Sequence, residues 1–111
     1  MVEVRIREDS RKRLSSFFAS GHAGWAELGE DVVCAAVSAL LQSAWLGLAE
    51  YAGVAVDGSR RSSGHLELHW PAAVRDRDDV RAIVTTTALS LERIALDFPD
   101  HLRVHREAER E

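Results

Sequence analysis

The chain has one cysteine among 111 residues. That excludes an internal disulfide and any zinc site built on paired cysteines. A basic surplus is also missing, since the formal net charge is −4 and the sequence pI is near 5.7. Broad nucleic-acid binding usually needs a basic face, so no direct nucleic-acid partner is expected. An acidic surface suits a basic partner better. No apolar run is expected to reach the length that crosses a bilayer. The opening MVEVRIRED alternates charge with β-branched residues and holds no apolar signal-peptide core. The expectation is a cytoplasmic protein with no membrane partner, and a lone thiol agrees, because it survives best in a reducing compartment. Internal repeats and linker-like stretches are lacking too, so residues 1–111 read as one domain, and nothing in them calls for a cofactor or a metal.

What is present is enough apolar material, 46% of the residues, to bury a core. Val2, Val4 and Ile6 alternate with Glu3, Arg5 and Arg7 in the period of a half-buried strand. Polar residues from Asp9 to Arg13 suggest a turn, and LSSFFAS, Leu14 to Ser20, a strand pairing back as a hairpin. Gly21 to Glu30 carries three glycines and no clean period, which predicts a loop. Apolar residues from Val33 to Tyr51 then recur at three and four, predicting a helix over Val32 to Ala52, with Asp31 as N-cap and Gly53 after its end. Val54 and Val56 predict a strand, Asp57 to Gly64 a turn, and Leu66, Leu68 and Trp70 the hairpin partner that Pro71 closes. A second amphipathic helix runs from Val80 to Phe98, with Asp76, Asp78 and Asp79 near its positive end. Leu102 and Val104 suggest a last short strand, followed by a fraying charged tail. The order strand-strand-helix-strand-strand-helix-strand predicts an α+β fold: a largely antiparallel sheet with two helices packed on one face.

Chemistry, if there is any, centres on Cys34. With Asp31 as N-cap, the thiol falls in the first helical turn, where exposed N–H groups favour a thiolate and can receive an oxyanion. A nucleophilic cysteine also needs a proton partner. His22 stands at the end of the second strand, and the following loop is long enough to bring it over the helix start. Composition and spacing alone leave a buried structural cysteine as the default reading.

The stretch GHAGWAELGEDVVCAAVSALLQSA, Gly21 to Ala44, resembles the signature of the bacterial ribosomal-processing cysteine proteases, the Prp or YsxB-like family. Gly21-His22-Ala23 matches its first part, and Gly29, Asp31, Val33, Cys34, Ala35, Ala36 and Ser38 match its second. The resemblance implies a homodimeric endopeptidase that removes an N-terminal extension from large-subunit ribosomal protein L twenty-seven. It implies Cys34 as nucleophile and His22 as general base and acid, with Asp31 and Ser38 as accompanying polar residues. Two rivals stay open: a thiol redox sensor, which lacks a resolving cysteine, and a non-catalytic ribosome-assembly module with Cys34 in its core.

Other residues carry plainer readings beside these. Asp31 can orient His22, but capping a helix is the simpler role, worth about 1 kcal/mol. Ser38, one turn past Cys34, can support the thiol or bond back to the carbonyl four residues earlier. Gly21, Gly24 and Gly29 permit tight turns; with Trp25 among them, a substrate-gating lid is the sharper reading. His65, Glu67 and His69 share a strand face and read as its solvated side rather than a metal site. His101 and His105 have a helical zinc spacing, which Pro99 and the strand pattern oppose. Phe17-Phe18-Ala19 matches the Phe-Phe-Ala at which such enzymes cut; strand pairing would lock this copy away from the thiol.

Overall fold

Strands β1 (Val2–Glu8) and β2 (Leu14–Ser20) pair antiparallel, Ile6 opposite Phe17 and Val4 opposite Ala19, as the alternation predicts. Helix α1 (Leu28–Leu46) follows, then a π-helical turn at Gly47–Tyr51. Next come β3 (Asp57–Arg61), β4 (His65–His69), a 3-10 turn at Ala72–Val74, α2 (Asp78–Asp97) and β5 (Leu102–Ala108). The structure, a computed structural model, describes residues 1–21, 28–61 and 65–109, without the side chains of 28–31, 60 and 61. The strand order is β3-β4-β2-β1-β5, antiparallel except where β1 meets β5 in parallel. This is the expected α+β arrangement. Val2, Val4, Ile6, Phe17, Ala19, Leu66, Leu68 and Leu102 point to one face of the sheet and are buried beneath the two helices.

The helices supply the other half of that core. Val33, Val37, Leu41, Ala44 and Leu48 form a buried stripe at helical spacing, and Val80, Val84, Thr87, Ala88 and Leu91 form its counterpart. Where the two helices approach, Gly47 leaves room: a Cβ there would stand 3.3 Å from the Ile83 side chain. Gly53 takes a φ of +65° after the last turn, as its predicted place at the helix end requires.

Four expectations are corrected. The helix begins at Leu28, not after Asp31, so Asp31 is its fourth residue and not its N-cap. Val54 and Val56 precede β3, and the residues read as a turn, Asp57 to Arg61, form the strand. The reason is packing from above: the Trp45 indole lies on the backbone of Gly58, where any Cβ would collide with it. The tail does not fray after Val104, because β5 runs alongside β1 to Ala108 and Glu107 binds both Arg5 (2.7 Å) and Arg7 (3.1 Å). The 20-residue stretch Val32–Tyr51 is long and apolar enough, by length and composition, to cross a membrane. Its buried stripe on the sheet supplies part of that character, and outward-facing apolar residues such as Val32 and Leu46 supply the rest.

Candidate active site

The sheet topology fixes where the segment leading to His22 leaves the sheet. β2 is the central strand, and it leaves the sheet at Ser20 beside the start of β1. Gly21 makes the exit with a φ of +90°, and a Cβ there would collide with the Met1 carbonyl oxygen. Only glycine fits comfortably. His22 is therefore the first residue beyond a turn fixed at the middle of the sheet's edge. Gly21→Ala is expected to lower stability by about 2 kcal/mol, from left-handed backbone strain together with the clash. Thermal unfolding monitored by circular dichroism checks this.

Cys34 stands in the second turn of α1, half-buried between the core stripe and solvent. Its neighbours at Val33 and Val37 are buried, so the cysteine sits at the margin of the core rather than inside it. Ser38, Gln42 and Trp45 continue from it at four, eight and eleven residues, along one side of the helix. All three are half-buried, and Gln42 Nε2 donates to Ser38 Oγ at 2.7 Å. The serine hydroxyl is thus held by the amide one turn further on, a partner the sequence reading did not consider. Trp45 closes the stripe against Gly58 of the edge strand β3. Gln42 and Trp45 escaped the sequence reading because it ranked α1 residues as core positions; repeating the four-residue step onward from Cys34 would have found them.

His22, Ala23, Gly24 and Trp25 lie outside the described residues, so the expected lid from Ala23 to Glu30 does as well, apart from Leu28, Gly29 and Glu30, which are helical. The correction at Asp31 changes the electrostatics. The unsatisfied N–H groups of a helix belong to its first turn, here Leu28 to Asp31, and their influence falls off within that turn. Cys34 is one turn too late to gain the full effect.

Among the described residues no three His, Cys, Asp or Glu side chains are grouped to hold a metal ion. His65, Glu67 and His69 lie on the sheet face away from the helices, and His69 Nε2 contacts Glu67 Oε1 at 2.8 Å. His101 and His105 fall before and within β5, which removes the helical spacing. Phe17 is buried, pairing with Ile6 and Leu68, so the Phe-Phe-Ala segment is committed to the sheet.

Comparison with known proteins places the sequence and the fold. The family model described as "Cysteine protease Prp" matches residues 1–103. The ribosomal processing cysteine protease Prp of Bacillus subtilis is 31% identical over 112 residues, covering 94% of this chain and 96% of that protein. Its Staphylococcus aureus counterpart is 28% identical over 109 residues, covering 95% and 98%. The fold is shared with the S. aureus Prp protease solved with a substrate peptide: TM-score 0.86, 22% identity, coverage 96% and 99%. A Streptococcus mutans protein of solved structure gives a TM-score of 0.85 at 22% identity, covering 98% and 96%.

Proposed function

We infer the activity from a plain premise: this chain belongs to the cysteine protease Prp family. The function proposed is hydrolysis of a peptide bond by a Cys34–His22 pair, with large-subunit ribosomal protein L twenty-seven as substrate. The observation that carries it is the position of Cys34, half-buried beside the core on α1, with His22 directly after the fixed turn that ends β2. A structural cysteine has no need of that margin. The names of the relatives, ribosomal processing proteases, support the substrate class.

In the first step His22 takes the thiol proton as Cys34 Sγ attacks the scissile carbonyl. The tetrahedral intermediate carries its negative charge on the former carbonyl oxygen. His22 then returns the proton to the departing amine, leaving an acyl-enzyme that water hydrolyses, with His22 now acting as base. Because Cys34 lies past the strongest part of the helix field, thiolate formation depends mainly on His22. Ser38, held by Gln42, is assigned a supporting role beside the thiol, and Asp31 one beside His22. Gly24 and Trp25 belong to the substrate-gating loop.

The working unit proposed is a homodimer in the cytoplasm, where ribosomal proteins are made. Support for a second copy comes from α1, whose side turned away from the sheet has no charged residue between Val32 and Ala49 and exposes Val32 and Leu46. His22→Ala is expected to slow cleavage of a Phe-Phe-Ala peptide by at least about a hundredfold without loss of fold. Steady-state kinetics on purified protein, with circular dichroism as control, decides it. A loss smaller than tenfold would remove His22 from the mechanism.

A further inference from the structure

The far end of the sheet, where β1 turns into β2, holds a second feature. A cavity of about 340 Å³ opens there between that turn, the start of α2 and the end of β5. Such a volume lies within the usual range for small-ligand sites, roughly 300–1,000 Å³. Its walls carry five cationic side chains, Lys12, Arg13, Arg75, Arg81 and Arg106, against two carboxylates, Glu8 and Asp76. Counting Asp9 and Glu92, which pair with these arginines from behind, five cations face four carboxylates, a local surplus of one positive charge in a chain of net charge −4.

The guanidiniums are fixed from behind. Asp9, buried with 6% of its side chain exposed, accepts from Arg13 Nε and Arg75 NH1, each at 3.0 Å. Burial pushes the Asp9 carboxyl up, but the Arg13 N–H, the Arg75 guanidinium and the Arg11 N–H outweigh it and hold it at about 2. It therefore stays ionised at neutral pH. One buried carboxylate thus holds two guanidiniums in place, and Arg13 reaches a second, Asp76, on its solvent side. Arg75 is anchored again, donating from Nε (3.1 Å) and NH2 (2.8 Å) to the Trp70 carbonyl. On the opposite wall Glu92 takes both Nε and NH2 of Arg106 at 2.9 Å. Of the two wall carboxylates, Glu8 lies 3.8 Å from Arg106 NH1, and Asp76 reaches Arg13 but is 67% exposed and so well screened. Lys12 and Arg81 are exposed at the rim and have no carboxylate partner among the described residues.

Anchored arginines lining an open cavity, with two unpaired cations at its mouth, suit a compact multivalent anion. We propose that this cavity binds the phosphate groups of a small phosphorylated ligand, of the class of a nucleoside diphosphate. A single phosphate group recognised here does not need the broad basic face that polymeric nucleic acid requires. The cavity lies about 20 Å from the Cys34 end, the length of β1, so it is separate from the proteolytic reading and does not rest on it.

The test is calorimetric titration of the protein with pyrophosphate and with a nucleoside diphosphate, in 150 mM chloride. Saturable 1:1 binding is expected, weakened at least tenfold in the Lys12→Glu, Arg81→Glu double variant. Those residues are exposed and unpaired, so the variant should keep its melting temperature and its peptide-cleaving activity. Arg81→Gln alone, which removes one charge, should give a smaller loss. Unchanged binding in the double variant would overturn the proposal, as would binding that vanishes at 150 mM chloride. An RNA oligonucleotide without a terminal phosphate that displaces the nucleotide as well as pyrophosphate does would also overturn it, in favour of a diester backbone.

Discussion

Cys34→Ala is expected to abolish cleavage of a Phe-Phe-Ala peptide while leaving the melting temperature nearly unchanged. The side chain is only half-buried, and losing one sulfur at the margin of the core opens little space that water or neighbours cannot fill. The chemical loss is of another order. Without the sulfur no acyl-enzyme forms, and the remaining groups can only polarise the carbonyl. Cys34→Ser should be almost as inactive, because a hydroxyl is far harder to deprotonate with a single histidine. Mass spectrometry of the peptide after prolonged incubation gives the readout. Turnover above a tenth of the wild-type rate in the alanine variant would rule out Cys34 as nucleophile.

Trp70→Ala should produce the largest loss of stability. Trp70 is 1% exposed, its ring centroid is 5.1 Å from that of Phe17, and its Nε1 donates to the Leu14 carbonyl at 2.8 Å. Removing a buried tryptophan costs about 3–5 kcal/mol, and the abandoned Leu14 carbonyl adds about 1–2 kcal/mol. Against a total stability of roughly 5–15 kcal/mol, most of the folded population is at risk at 37 °C. Trp70→Phe keeps the ring contact and loses the hydrogen bond, so it should cost about 1–3 kcal/mol. Urea denaturation of the pair separates packing from hydrogen bonding. Equal losses in both variants would show that the Leu14 bond, not the ring, matters.

The strands of the first hairpin could be read from sequence because period-two alternation and a one-sided sheet enforce each other. β3 could not, since its residues, Asp-Gly-Ser-Arg-Arg, have turn composition. They form a strand because β4 offers an edge and Gly58 admits the Trp45 ring, a contact between segments that no local pattern shows. The start of α1 was misplaced for a related reason. Asp31 has a capping residue's chemistry, yet the helix runs on through Gly29 to Leu28, past a residue that normally discourages it. Of the candidate site, Cys34 and Ser38 were legible as a helical pair, and the Phe-Phe-Ala segment as a strand. The cationic cavity was invisible, because its residues come from four separate segments whose spacing carries no period.

The parallel pairing of β1 with β5 has a kinetic consequence. Val2 is registered with Leu102 and Glu8 with Ala108, so this pairing of β1 waits for β5, about a hundred residues later. Until then a growing chain presents one bare edge of β1, with Val2, Val4 and Ile6 lacking their cover from Leu102. Contacts so distant along the chain are slow to close, because the loop entropy must be lost before any pairing is gained. Native structure should therefore lock in only once Leu102–Ala108 has been made and can reach β1, and nascent chains halted before Leu102 should be open to chaperone capture or strand-to-strand aggregation.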